Sequence, residues 1–80
     1  MKVTVKRKVN IQEVPITTEF IKLQDAMKFA NLVESGGEAK VVIQEGDVSV
    51  NGEVCTQRGR KLRPGDSFCF EGITCRITQA

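Results

Sequence analysis

Asn51-Gly52, set in the stretch "DVSVNGEV", constrains this chain more than any other pair of residues. A type I′ turn needs positive φ at both central positions, and Asn-Gly accepts that geometry at little cost. Val48 and Val50 alternate with Ser49, so the pair predicts a two-residue hairpin in which Val50 faces Glu53 and Val48 faces Cys55. Two more turns follow closely. "RPGD" joins the fixed φ of Pro64 to a permissive Gly65. "SFCFEGITCRIT" reads as a second hairpin turning at Glu71-Gly72, which sets Cys69 opposite Thr74 and Cys75 opposite Phe68. In that register the two cysteines lie on opposite sheet faces and cannot bond to each other.

The upstream half carries helical spacing. Leu23, Ala26, Met27 and Ala30 fall at i, i+3, i+4 and i+7, with Phe29, Leu32 and Val33 expected to widen that face. Ser35 is placed to cap a second helix, and Glu38 stands at the spacing of a capping box. Ala39, Val42 and Ile43 form that helix's buried stripe, Lys40 and Gln44 point to the other side, and Gly46 ends it. Pro15 excludes a helix interior or a central strand, so "NIQEVPITTEFIKL" is expected to be an extended connection with a short strand near Glu19–Lys22. "KVTVKRKV" alternates like a half-buried strand over residues 2–9. The expectation is an α+β fold: two short helices packed on a small, mainly antiparallel sheet of about four to five strands.

At 80 residues the chain is expected to form a single domain, and one of this size buries only about 60–65% of its unfolded surface. That disfavours an enzyme with a deep cleft. There is no histidine, tyrosine or tryptophan, so the commonest general base is missing. Cys55, Cys69 and Cys75 are an odd number without a Cys-x-x-Cys pair, which fits neither a closed disulfide framework nor a zinc site. Cys55 stands close to Arg58, a setting that can activate a thiol, but it has no histidine partner. No cofactor, metal or catalytic residue is expected. No apolar run is long enough to cross a membrane, and the basic, alternating start lacks the apolar block of a signal peptide. A cytoplasmic monomer is the expectation.

Net charge is only +2, but its distribution is uneven. Lys2, Lys6, Arg7 and Lys8 form one patch without acids, and Arg58, Arg60, Lys61 and Arg63 form another. The remainder holds four basic residues against all ten acids. Cations on the first patch also have a structural use, since they discourage edge-to-edge strand pairing. The second patch lies between a hairpin and Leu62, which must return to the core, so its side chains surround a short exposed excursion. Three of its four cations are arginines, whose forked guanidinium suits phosphate. Gly59 lets the backbone approach a ligand. Asn51 at the neighbouring turn, with Lys40 and Gln44 on the second helix, could extend the surface. With only four phenylalanines as aromatics, and most of them expected in the core, base stacking is given a minor part.

In this order the residues resemble the RNA-binding domain of the ribosomal small-subunit protein four type, the alpha-L motif. Its two short helices are followed by G-x-V-x-V-N-G, a leucine and G-D; here these are Gly46 to Gly52, Leu62, and Gly65-Asp66. Ser35, Ala39, Val42 and Ile43 match its second helix, and the resemblance covers about residues 19–70, most closely to small stand-alone bacterial members. The family's arginine after the serine is Gly36 here. The resemblance implies binding of structured RNA, ribosomal or transfer RNA among the targets, with possible ribosome association. Ser35 and Lys40 carry over as RNA contacts beside Gln44, Asn51, Arg58, Arg60, Lys61 and Arg63. The competing reading is a protein-interaction adaptor attached to the ribosome or to an RNA-modifying enzyme.

Overall fold

The computed structural model describes residues 11–80, so the strand expected at 2–9 lies outside the described residues. The elements are β1 (Ile11–Ile16), β2 (Ile21–Lys22), α1 (Leu23–Phe29), α2 (Gly36–Gln44), β3 (Val48–Val50), β4 (Glu53–Val54), β5 (Lys61–Leu62), β6 (Ser67–Phe70) and β7 (Ile73–Gln79). The sheet order is β1-β7-β6-β3-β4, and β2 and β5 form a separate two-stranded ribbon. All pairings are antiparallel except that of β1 with β7. This is the expected α+β arrangement of two helices with a mainly antiparallel sheet.

The turns form as the residues require. Asn51 has φ +51 and Gly52 φ +89. Val50 pairs with Glu53, and the Cys55 N–H donates to the Val48 carbonyl at 2.9 Å. In the second hairpin Phe68 faces Cys75, Cys69 faces Thr74 and Phe70 faces Ile73. β3 crosses β6 with Val48 beside Phe70 and Val50 beside Phe68. One sheet face therefore carries Val48, Val50, Phe68, Phe70, Cys75 and Ile77, all buried. Fully burying a side chain such as Phe68 contributes about 1.5–3 kcal/mol.

The segment around Pro15 corrects the expected connection: it is strand β1, parallel to β7. Proline is tolerated because, among the described residues, β1 is an edge strand with β7 as its one neighbour. The Ile16 carbonyl accepts from the Ala80 N–H at 2.9 Å and so faces β7. Alternate residues of a strand aim their backbone groups to the same side, which turns the donorless nitrogen of Pro15 away from β7. Val14 and Ile16 reach the core while Ile11, Gln12, Glu13 and Pro15 stay exposed.

Helix α1 buries Leu23, Ala26 and Met27, as its spacing predicts. Phe29 is the exception: it is 55% exposed, because two residues past Met27 the helix has turned about 200° away from the stripe. The helix ends there. Asn31 adopts φ +60, and the Leu32 N–H reaches back to the Met27 carbonyl at 3.0 Å, so Leu32 and Val33 meet the core from a closing turn. Helix α2 starts at Ser35, whose Oγ accepts from the Glu38 N–H at 3.2 Å. The Glu38 carboxylate accepts from the Glu34 N–H at 2.9 Å, one residue earlier than in the usual capping box. Ala39 and Ile43 are buried and Val42 is partly so. Gly46, at φ +83, closes the helix in a left-handed geometry that a side chain would strain.

Candidate nucleic-acid interface

Strand β5 brings the end of the basic stretch back to the body by pairing with β2. Ile21 faces Leu62 and Lys22 faces Lys61. Leu62 is fully buried and Ile21 partly, so this ribbon's inner side is apolar. Alternation then places Lys22 and Lys61, and the flanking Phe20 and Arg63, on its outer side. The ammonium of Lys61 lies 4.9 Å from the centre of the Phe20 ring, and the Arg63 guanidinium carbon lies 5.9 Å from it. Sequence reasoning missed both Phe20 and Lys22. The signal was present: Phe20-Ile21-Lys22 and Lys61-Leu62-Arg63 each hold one aliphatic residue between two outward ones.

The preceding loop is tied to the start of α1. That helix has no side-chain cap. Its first free amides are satisfied by the loop instead: Leu23 N–H donates to the Arg60 carbonyl at 2.9 Å and Gln24 N–H to the Arg58 carbonyl at 3.1 Å. The Arg60 N–H donates to the Gln57 carbonyl at 3.1 Å, closing a turn across Gly59. The backbone is thus pinned while the side chains of Arg58, Arg60, Lys61 and Arg63 remain exposed. Cations at a helix N-terminus have the unfavourable sign for its dipole. Among the described residues no carboxylate stands within 4.0 Å of the charged group of any of these four side chains, the single ion pair being Lys28 with Asp25 at 3.9 Å.

A second set of bonds holds Arg63. The Arg63 N–H donates to Asp66 Oδ2 at 2.8 Å. The other oxygen of Asp66 accepts from Asn51 Nδ2 at 3.2 Å, while Asn51 Oδ1 accepts from the Ser67 N–H at 3.0 Å. Asn51 thereby joins the hairpin turn to the Pro64-Gly65 turn, and its polar atoms serve the scaffold. Ser35 is exposed, with its oxygen engaged in capping α2. Lys40 and Gln44 are exposed one turn apart on α2. The hydrogen bonds of the basic loop run to α1, and among the described residues none joins it to α2.

The thiols offer little chemistry. Cys55 is buried and its Sγ lies 3.7 Å from the Gln57 carbonyl. Burial, reinforced by the neighbouring Cys69, pushes the Cys75 thiol up to about 11, which keeps it protonated at neutral pH. Two phenylalanines, Phe68 and Phe70, are core, whereas Phe20 is half-buried and Phe29 exposed, fewer core rings than expected. No helix among the described residues is long and apolar enough to cross a membrane.

The S4 domain family model matches residues 14–78. The chain is 44% identical over 60 residues to "Probable ribosome maturation protein RlbA" of Bacillus subtilis, covering 75% of this chain and 84% of that one. It is 35% identical over 57 residues to "Putative RNA-binding protein YbcJ" of Escherichia coli, covering 71% and 81%. The solution structure of YbcJ, described as revealing an alfaL motif involved in RNA-binding, superimposes with a TM-score of 0.62 at 26% identity over 98% of both chains.

Proposed function

Because the chain belongs to the S4 domain family, we propose that it is a non-catalytic module that binds structured RNA. The observation that carries the proposal is the basic loop. Four cations sit on a backbone fixed to the first turn of α1, and no carboxylate among the described residues neutralises them. The acid in that helix's first turn, Asp25, stands 3.9 Å from Lys28 and does not pair with the loop's cations. Arg58, Arg60, Lys61 and Arg63 are the main phosphate contacts, with Lys40 and Gln44 extending the surface along α2. Ser35 and Asn51 act chiefly by holding α2 and the turns in place. Recognition rests on phosphates and on the shape of the RNA.

Ribosomal RNA is the favoured target over transfer RNA, supported by the ribosome-maturation name of the Bacillus relative. The proposal places the protein in the cytoplasm as a monomer, with a single domain whose alpha-L core spans about residues 19–70. The absence of histidine and the protonated Cys75 support a role without catalysis.

Titration of labelled ribosomal RNA hairpins at increasing salt tests the proposal. Four neutralised phosphates give a slope of log K against log salt of about −3 to −4. A slope near zero, with protein partners that persist in pull-downs after ribonuclease treatment, overturns it in favour of the adaptor reading.

A further inference from the structure

The ribbon of β2 and β5 has an outer face that phosphate binding alone does not explain. Lys22, Lys61 and Arg63 would be sufficient for that task, yet Phe20 stands among them, half-buried where an apolar ring would ordinarily be driven inside. The ring is the contact surface for two cations, at 4.9 and 5.9 Å from its centre. We propose that this face is a subsite for one unpaired nucleotide, in which the base stacks on Phe20 while Lys61 and Arg63, with Lys22 beside them, take the flanking phosphates. The inference rests on the RNA-binding reading and adds to it a preference within structured RNA.

Magnitudes favour the exchange. An exposed cation–π contact strengthens an equilibrium only about 2–5-fold. A base stacked on an aromatic ring is worth about 5–150-fold. A phosphate arriving with the base gives each displaced cation a charged partner in place of the ring quadrupole. In the free protein the cations keep the ring covered; in the complex they move a short distance to the backbone and leave the ring to the base. Bases inside an A-form helix are stacked on one another and present no face, so only a bulged, looped or terminal nucleotide can use the subsite.

The test compares a blunt-ended, fully paired RNA duplex with the same duplex carrying one bulged nucleotide in its stem. Wild-type protein should bind the bulged form about 5-fold or more tightly. Phe20→Leu keeps apolar bulk and all cations, so it should bind the paired duplex with an unchanged salt slope and lose the preference. The chain has no tryptophan, so Phe20→Trp introduces a single fluorophore whose emission should be quenched by the bulged RNA and much less by the paired one. Equal wild-type affinity for the two RNAs, a preference that survives in Phe20→Leu, or equal quenching by both RNAs overturns the subsite and leaves the RNA-binding reading standing. Failure of wild-type protein to bind either RNA overturns both. Should Phe20→Leu fail to fold, the Phe20→Trp comparison decides.

Discussion

Asp66 receives bonds from two directions: the Arg63 amide reaches one of its oxygens and the Asn51 amide group the other. Each exposed hydrogen bond of this kind contributes about 0.5–1.5 kcal/mol, and those to a carboxylate are at the upper end. The functional effect is of another sort, since Arg63 follows directly on Leu62 and its backbone is held by Asp66 rather than by a strand. Asp66→Ala should therefore lower stability by about 1–2 kcal/mol, a fall in Tm of about 4–15 °C for a domain of this size. It should also weaken RNA binding several-fold even though it removes a negative charge, which by electrostatics alone would strengthen it. Thermal unfolding read beside an RNA titration checks both; tighter binding would mean that Asp66 only repels phosphate and positions nothing.

Among the elements, α2 shows how a capping residue and a contact residue can be confused. Ser35 occupies the matched family position and is exposed, but its oxygen already accepts from the Glu38 amide. Ser35→Ala should cost about 1 kcal/mol of stability. Ser35→Asp keeps an N-cap acceptor while placing an anion where RNA would approach, so it should restore stability and, if α2 lies against the RNA, reduce affinity. Urea unfolding and RNA binding of the two variants separate these roles. The hairpins and both helices were legible because each is set by residues a few positions apart: Asn51-Gly52, Glu71-Gly72, the Leu23–Met27 stripe, and Ser35 with Gly46. What escaped depends on partners far along the chain. Strand β1 contains a proline that a strand tolerates where its nitrogen faces away from the neighbour, and nothing within residues 11–16 shows on which side β7 will lie. The ribbon of β2 and β5 joins Ile21 to Leu62 across some forty residues, so the meeting of Phe20 with Lys61 and Arg63 could not be read from either stretch by itself. The loop was placed by its charge with the second helix, whereas the free amides of α1 bind it by its carbonyls.

For the whole molecule, a net charge of +2 understates the electrostatic strain of the fold. Among the described residues no carboxylate pairs with the four loop cations, which repel one another, and Arg58 and Arg60 are bonded through their carbonyls to the end of α1 where the helix dipole is positive, an end whose first-turn acid, Asp25, stands beside Lys28. Their carbonyls, not their side chains, hold that helix, so the side chains can be changed without removing the bonds to Leu23 and Gln24. A double substitution, Arg58→Gln with Arg60→Gln, should thus move stability and binding in opposite directions. Relief of like-charge and dipole repulsion is worth about 0.2–0.5 kcal/mol, enough to raise Tm by about 1–4 °C at low ionic strength. Loss of two phosphate contacts should make the salt slope less negative by about 1.5–2. Added salt should likewise raise the Tm of the wild-type protein while weakening its complex with RNA, and should do the first less in the double variant. Calorimetry and RNA titration at matched ionic strengths measure both trends. A fall in Tm in the double variant would show that the guanidinium groups hold the fold together rather than being held by it, and the loop would then be a structural element whose charge serves the protein itself.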